Sequence, residues 1–122
     1  MTWTQSNITS GDFHCVHNAN GVWVAGSGSN RKGLYYSTDG KTWTQSNITS
    51  DIFEDIYNTN GIWVASSLSD KGLYYSTDGM TWIRSSITSG SFATVYNANG
   101  IWVAGSYNNN GFYYSTDGKT WT

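Results

Sequence analysis

The chain has 122 residues, of which 38% are hydrophobic and 16% aromatic, enough for a core but too few residues for two ordinary domains. Only 11% of the residues are charged and the formal net charge is −2, so binding to nucleic acid or to an anionic membrane is not expected. The apolar runs, such as Val22–Ala25, are too short to cross a membrane, and no signal peptide is recognisable. Localisation stays open.

The first strand-like segment, Phe13–Asn18, opens a pattern of short strands and tight turns. Asn18–Gly21 suits a hairpin because Asn and Gly tolerate positive φ, and Asp39-Gly40 marks a second hairpin. In chain order the strands are Phe13–Asn18, Val22–Ala25, Leu34–Ser37 and Thr42–Ser46, with a polar loop over Gly26–Gly33. The pattern predicts a four-stranded antiparallel meander.

This unit occurs three times. The segment Tyr35–Trp43 returns at Tyr74–Trp82 and at Tyr113–Trp121, with Ser37, Ser76 and Ser115 spaced 39 positions apart. Repetition at this period indicates a stacked or circular array. We therefore read residues 1–122 as a single repeat array with units at about 4–43, 44–82 and 83–122.

Each predicted sheet is apolar on both faces. Val22 and Val24 point to one side, while Trp23 and Ala25 point to the other. Such a sheet must be covered on both sides, and sheets stacked face to face around an axis achieve this. The predicted fold class is therefore all-β, a β-propeller with three four-stranded antiparallel blades per chain.

The repeated nonapeptide resembles the Asp box of sialidase-like propellers, also called BNR repeats, with the pattern Ser-x-Asp-x-Gly-x-Thr-Trp. The matching residues are Ser37, Asp39, Gly40, Trp43, Ser76, Asp78, Gly79, Trp82, Ser115, Asp117, Gly118 and Trp121, together with Thr42, Thr81 and Thr120. One departure is that no residue stands between Asp and Gly, so the turn is shorter. The resemblance implies a structural box at the blade periphery, with the carboxylate bonded to turn amides and the Trp packed between blades.

A sialidase activity is not predicted. The resemblance would imply an arginine triad, a Tyr–Glu nucleophile pair and an Asp acid, but the chain has only Arg31, Arg84 and the single glutamate Glu54. Fold does not carry function. We expect no enzymatic activity and no cofactor.

Three blades leave apolar faces open, which favours association. We expect a homodimer with six blades, and a homotrimer with nine blades is the alternative. The segment before Asn7 repeats a fourth strand, and we expect residues 1–8 to complete the third blade of a partner chain. A chain that begins inside a strand also indicates an engineered or fragment origin.

The copies differ mainly at one predicted mouth of the ring, in the loop after the second strand and at the start of the first strand. Candidate ligand-face residues there are His14, Arg31, Glu54, Asp70, Tyr107, Asn108 and Asn109. The variation fits either ligand binding or neutral drift of exposed loops. His14, Cys15, Glu54 and Asp55 have no recognised metal-ligand spacing, so no metal site is predicted. The leading function is a non-catalytic, self-assembling propeller scaffold, and the alternative is a module that binds glycans or another ligand.

Overall fold

A computed structural model describes all of residues 1–122 and contains eleven strands and no helix. The strands are β1 (Phe13–Ala19), β2 (Val22–Ser27), β3 (Leu34–Ser37), β4 (Thr44–Gln45), β5 (Phe53–Thr59), β6 (Ile62–Ser67), β7 (Leu73–Ser76), β8 (Ile83–Arg84), β9 (Phe92–Ala98), β10 (Ile101–Ser106) and β11 (Phe112–Ser115). They form three antiparallel sheets in chain order: β1–β4, β5–β8 and β9–β11. The predicted all-β class is confirmed, and no helix is available to cross a membrane.

The hairpin between the first two strands of each sheet turns on an Asn-Gly pair. Asn20 and Gly21 have φ angles of 54° and 77°, and Ala19 pairs with Val22 on either side of them. Positive φ at both central residues defines a type I′ turn, whose twist matches that of the flanking strands. The same turn recurs at Asn60-Gly61 and Asn99-Gly100, so the prediction from the Asn-Gly sequence is confirmed.

The fourth strands are shorter than predicted. β4 covers only Thr44 and Gln45, because the pairing becomes irregular beyond them: Leu34 of β3 bonds to both Ser46 N and Ile48 O. Two residues of one strand that oppose a single residue of its partner interrupt the regular ladder. Ser46 Oγ also accepts a hydrogen bond of 3.1 Å from the amide of Ile48. In the third sheet, β11 pairs with Thr122 alone, through two backbone bonds of 2.9 Å to Tyr114.

The core lies in two layers between the sheets. Between the first and second sheets, Val24 and Leu34 pack against residues of the second sheet that include Phe53, Ile56 and Trp63. The layer between the second and third sheets repeats this arrangement with Val64 and Leu73 against Phe92, Val95, Trp102 and Trp121. Only the second sheet is therefore covered on both faces.

Candidate functional site

The three sheets present two kinds of face. We call the face that carries Phe53 and Trp63 in the second sheet the front face, and the face that carries Val64 and Leu73 the back face. At both internal junctions a back face packs on the front face of the next sheet. The front face of the first sheet and the back face of the third sheet have no such cover, and we call them the open faces.

Repeat-equivalent residues differ sharply in exposure between the junctions and the open faces. Leu34 and Leu73 are 0% exposed at the junctions, whereas Phe112 at the same position of the third sheet is 80% exposed. Trp63 is 2% exposed, and its equivalent Trp23 on the first sheet is 37% exposed. The exposed apolar side chains on the two open faces are Phe13, Val16, Trp23, Tyr96, Ile101, Val103, Phe112 and Tyr114.

An apolar cavity of about 410 Å³ lies on the front face of the first sheet. Its lining includes Ile8, Phe13, Val16, Ala25, Tyr35 and Trp43. On the second sheet the equivalent residues, among them Phe53, Ile56 and Ala65, are in contact with Val24 and Leu34 of the preceding sheet. The cavity is thus the place where a preceding sheet would insert a valine and a leucine. A second, polar cavity of about 560 Å³ lies between residues 4–7 and the first Asp-Gly turn.

The Asp-Gly turns are closed by their own side chains. Asp39 Oδ1 accepts hydrogen bonds from the amides of Lys41 (2.8 Å) and Thr42 (2.9 Å), and Ser37 Oγ accepts one from Gly40 N (2.8 Å). The bonds from Thr42, Lys41 and Ser37 lower the pKa of Asp39. The same bonds recur around Asp117, where those from Thr120 and Lys119 lower its pKa. These carboxylates bond to the amides of their own turns and so hold the turn conformation.

The Asp78 turn has the same hydrogen bonds, but its carboxylate is more buried than those of Asp39 and Asp117. Burial acts to raise the pKa of Asp78, but the amide bonds from Thr81 and Met80 outweigh it and the net shift is downward. Gly79 has a φ of 79°, and a Cβ there would lie 3.1 Å from Val22 of the first sheet. The turn therefore also packs closely against the neighbouring sheet.

The tryptophan after each turn lies on a front face. Trp82 and Trp121 are buried, and their Nε1 atoms donate to the carbonyls of Gly79 and Gly118, whereas Trp43 borders the open cavity. Asn47 clamps the Trp82 backbone, since its Oδ1 accepts from Trp82 N (2.7 Å) and its Nδ2 donates to Trp82 O (2.9 Å). The tryptophans on covered faces are thus core residues.

Asn7 clamps Trp43 in the same way as Asn47 clamps Trp82, whereas Ser86 makes only the bond from Trp121 N. Sequence reasoning did not identify these clamps. The signal available was the recurrence of an asparagine 36 positions before Trp43 and 35 positions before Trp82.

The predicted ligand-face residues mostly bond to neighbouring units. His14 Nδ1 lies 2.5 Å from Glu54 Oε1, Arg31 Nη1 donates to Ser69 Oγ (3.3 Å), and Asp70 Oδ1 accepts from Gly90 N (2.7 Å). The structure therefore brings His14 and Glu54 together. Tyr107, Asn108 and Asn109 stay apart from them on an exposed loop, where Asn108 accepts from Ser106 Oγ. Of the seven residues only His14 lines a cavity.

The residues beside this pair also link sheets. Cys15 Sγ donates to the carbonyl of Phe53 (3.4 Å), and Asp55 Oδ2 accepts from Val95 N (3.1 Å) in the third sheet. Burial raises the pKa of Cys15 to about 12, so the thiol is protonated at neutral pH and is a poor nucleophile or metal ligand. No group of three or more His, Cys, Asp and Glu side chains is arranged to hold a metal ion.

Comparison with known proteins supports the fold and not a function. No family model matches the chain, and no curated protein matches it. The chain is similar to the solved structure of a computationally designed protein, Ika8, with a TM-score of 0.65 and 10% sequence identity. The similarity covers 88% of this chain and 34% of that one, so the chain spans about a third of the length of that structure. At this sequence identity the likeness shows a similar fold and nothing more.

Proposed function

We propose that the chain is a non-catalytic, self-assembling β-propeller scaffold in which copies of the chain cover each other's open faces. The observation that carries this proposal is the exposure of Phe112 beside the complete burial of Leu34 and Leu73. Large apolar patches exposed on an isolated protein mark association surfaces. We also propose, from the Asp-box pattern, that the chain is a member of the sialidase-like propellers.

The two open faces are complementary because each repeats half of an internal junction. Val103 and Phe112 of the third sheet are the repeat equivalents of Val24 and Leu34 of the first sheet. Val24 and Leu34 pack on the front face of the second sheet, and the apolar cavity occupies the equivalent place on the front face of the first sheet. An aromatic contact repeats as well. His17 packs edge-on against Trp63 at 5.8 Å and Tyr57 against Trp102 at 6.2 Å, which leaves Tyr96 to meet Trp23 of another copy.

The contact that results is head to tail, and such contacts build a ring when the rotation closes. Two chains would give a ring of six blades, and three chains would give nine. The hydrogen-bonded Asp-Gly turns and the Asn47 clamp support a scaffold role for the Asp box, since their polar groups are satisfied by backbone atoms of the same turn or of the neighbouring sheet. The glycan-binding alternative and an engineered origin stay predictions from the sequence.

Light scattering or native mass spectrometry tests the proposal directly. One chain has a mass of 13.5 kDa, and we expect a folded species of twice that mass. A species of three times that mass would support nine blades and contradict six. A folded single chain that persists at every accessible concentration would overturn the self-assembly proposal.

A further inference from the structure

We infer that Ser6–Ile8 of one chain completes the third sheet of its partner by bonding to the backbone of Phe112. The inference rests on the proposed self-assembly and names the segment that the partner contributes. It goes beyond the packing of the open faces because it assigns a backbone register to the contact.

The internal sheets show what this register looks like. The Leu34 carbonyl accepts a hydrogen bond of 2.9 Å from Ser46 N, and its amide donates one of 3.0 Å to Ile48 O. Leu73 makes the same two bonds, of 2.9 Å and 3.0 Å, with Ser85 and Ile87. In both sheets a short Ser-x-Ile segment therefore seals the edge of the third strand.

The third sheet lacks this seal. Phe112 is the equivalent of Leu34 and Leu73, yet no backbone hydrogen bond joins it to a following segment. On the edge away from β10, the backbone of β11 is bonded only at Tyr114, by Thr122. A strand edge with unpaired N–H and C=O groups is a template for another chain.

Ser6–Ile8 already has the required shape. Its Ile8 amide donates to Ser6 Oγ at 3.1 Å, as Ile48 does to Ser46 and Ile87 does to Ser85, both also at 3.1 Å. The Asn7 clamp on Trp43 fixes the segment to the front face of the first sheet. The groups equivalent to Ser46 N and Ile48 O, which are Ser6 N and Ile8 O, bond to no third strand in their own chain.

Gly111 supplies an independent observation. A Cβ placed on Gly33 or Gly72 would overlap the carbonyl oxygen of Ile48 or Ile87, so glycine is required where the Ser-x-Ile segment passes. Gly111 has the same backbone conformation, with a φ of 76° beside 78° for the other two, but nothing lies within 4 Å of a Cβ there. The space beside Gly111 corresponds to the position of the Ile48 or Ile87 carbonyl in the other two sheets. Ile8 of the partner is the repeat equivalent of those isoleucines.

A Gly111→Ala variant tests the register, and Gly100→Ala is the matched control. Gly100 has a φ of 80° and nothing within 4 Å of a Cβ, so both variants carry a similar backbone strain. The repeat equivalents of Gly100, which are Gly21 and Gly61, are also clear of neighbours, so the control stays outside every junction. We expect Gly111→Ala to raise the concentration of half-assembly by about tenfold or more over Gly100→Ala.

Equal assembly of the two variants would overturn this inference while leaving self-assembly intact. A wild-type chain that never assembles would instead overturn the proposed function. Should Gly111→Ala fail to fold by circular dichroism, two truncations decide the matter. Removing residues 1–4, which form no hydrogen bond, is expected to preserve assembly, and removing residues 1–8 is expected to abolish it. Equal assembly of both truncations would contradict the inference.

Discussion

The back faces of the second and third sheets carry the same pattern and have opposite surroundings. Val64 and Leu73 are fully buried beneath the third sheet, while their equivalents Val103 and Phe112 are exposed to solvent. Burying one such side chain contributes about 1.5–3 kcal/mol. The comparison shows that one strand pattern produces either a core or an exposed apolar surface, according to whether another sheet follows.

The largest expected effect is on the free energy of unfolding, where Trp82→Ala at a covered face is compared with Trp43→Ala at an open face. Trp82 is buried at the first internal junction, so its removal should lower the free energy of unfolding by about 3–5 kcal/mol. Trp43 borders an open face, and at dilutions where chains are single its removal should cost about half as much or less. Urea titrations at low and high protein concentration measure both. Equal costs at every concentration would contradict the idea that only association buries Trp43.

Phe112→Ser should separate assembly from folding. We expect it to weaken each contact between chains by about 2 kcal/mol. The free energy of unfolding of a single chain should stay nearly unchanged, because the Phe112 side chain is exposed in the single chain. Ile83→Thr is the control, since Ile83 is an exposed apolar residue at a position where the other sheets carry Thr44 and Thr122. Analytical ultracentrifugation measures the effect, and equal dissociation constants for the two variants would argue against a contact through Phe112.

The tryptophan clamp should have a smaller effect. Asn47→Ala removes two hydrogen bonds to the Trp82 backbone and should destabilise the chain by about 1–2 kcal/mol. Ser86→Asn should do the opposite, by about 0.5–1 kcal/mol, because an asparagine there can donate a second bond to the Trp121 carbonyl. Thermal melts of the two variants measure the difference, and no change in either variant would show that the clamp is dispensable.

The smallest predicted effect is a dependence on pH that the three turns share. The folded state lowers the pKa of Asp39, Asp78 and Asp117, so it binds their protons less tightly than the unfolded chain does. This stabilisation is fully present above the unfolded pKa of about 4 and is lost as the pH falls through the lower folded values. The melting temperature should be nearly constant from about pH 7 to 5 and should fall below about pH 4.

An Asp78→Asn variant should show a shallower fall, since its side chain does not titrate. A melting temperature that rises as the pH drops below about 4 would contradict the role assigned to the turns.

Much of the fold could be predicted because it is local. The Asn20-Gly21 turn follows from the backbone preferences of two residues, and the bonds that Asp39 accepts come from one hydroxyl and two amides within three positions of it. The length of β4 could not be predicted, because Leu34 bonds to both Ser46 and Ile48, and strand propensity does not predict such an irregular pairing. The His14–Glu54 pair also required the structure, since the two residues lie 40 positions apart and meet only when the first strands adjoin.

The sequence by itself determined the repeat, the alternation of side chains, the turn conformations and the closing of each Asp-Gly turn, since all of these depend on groups a few residues apart. Only the tertiary structure decided which copy of each residue is buried. Leu34, Leu73 and Phe112 occupy one position of the repeat, yet two are core and one is exposed. The physical reason is that burial depends on the neighbouring sheet, which the repeat unit does not encode.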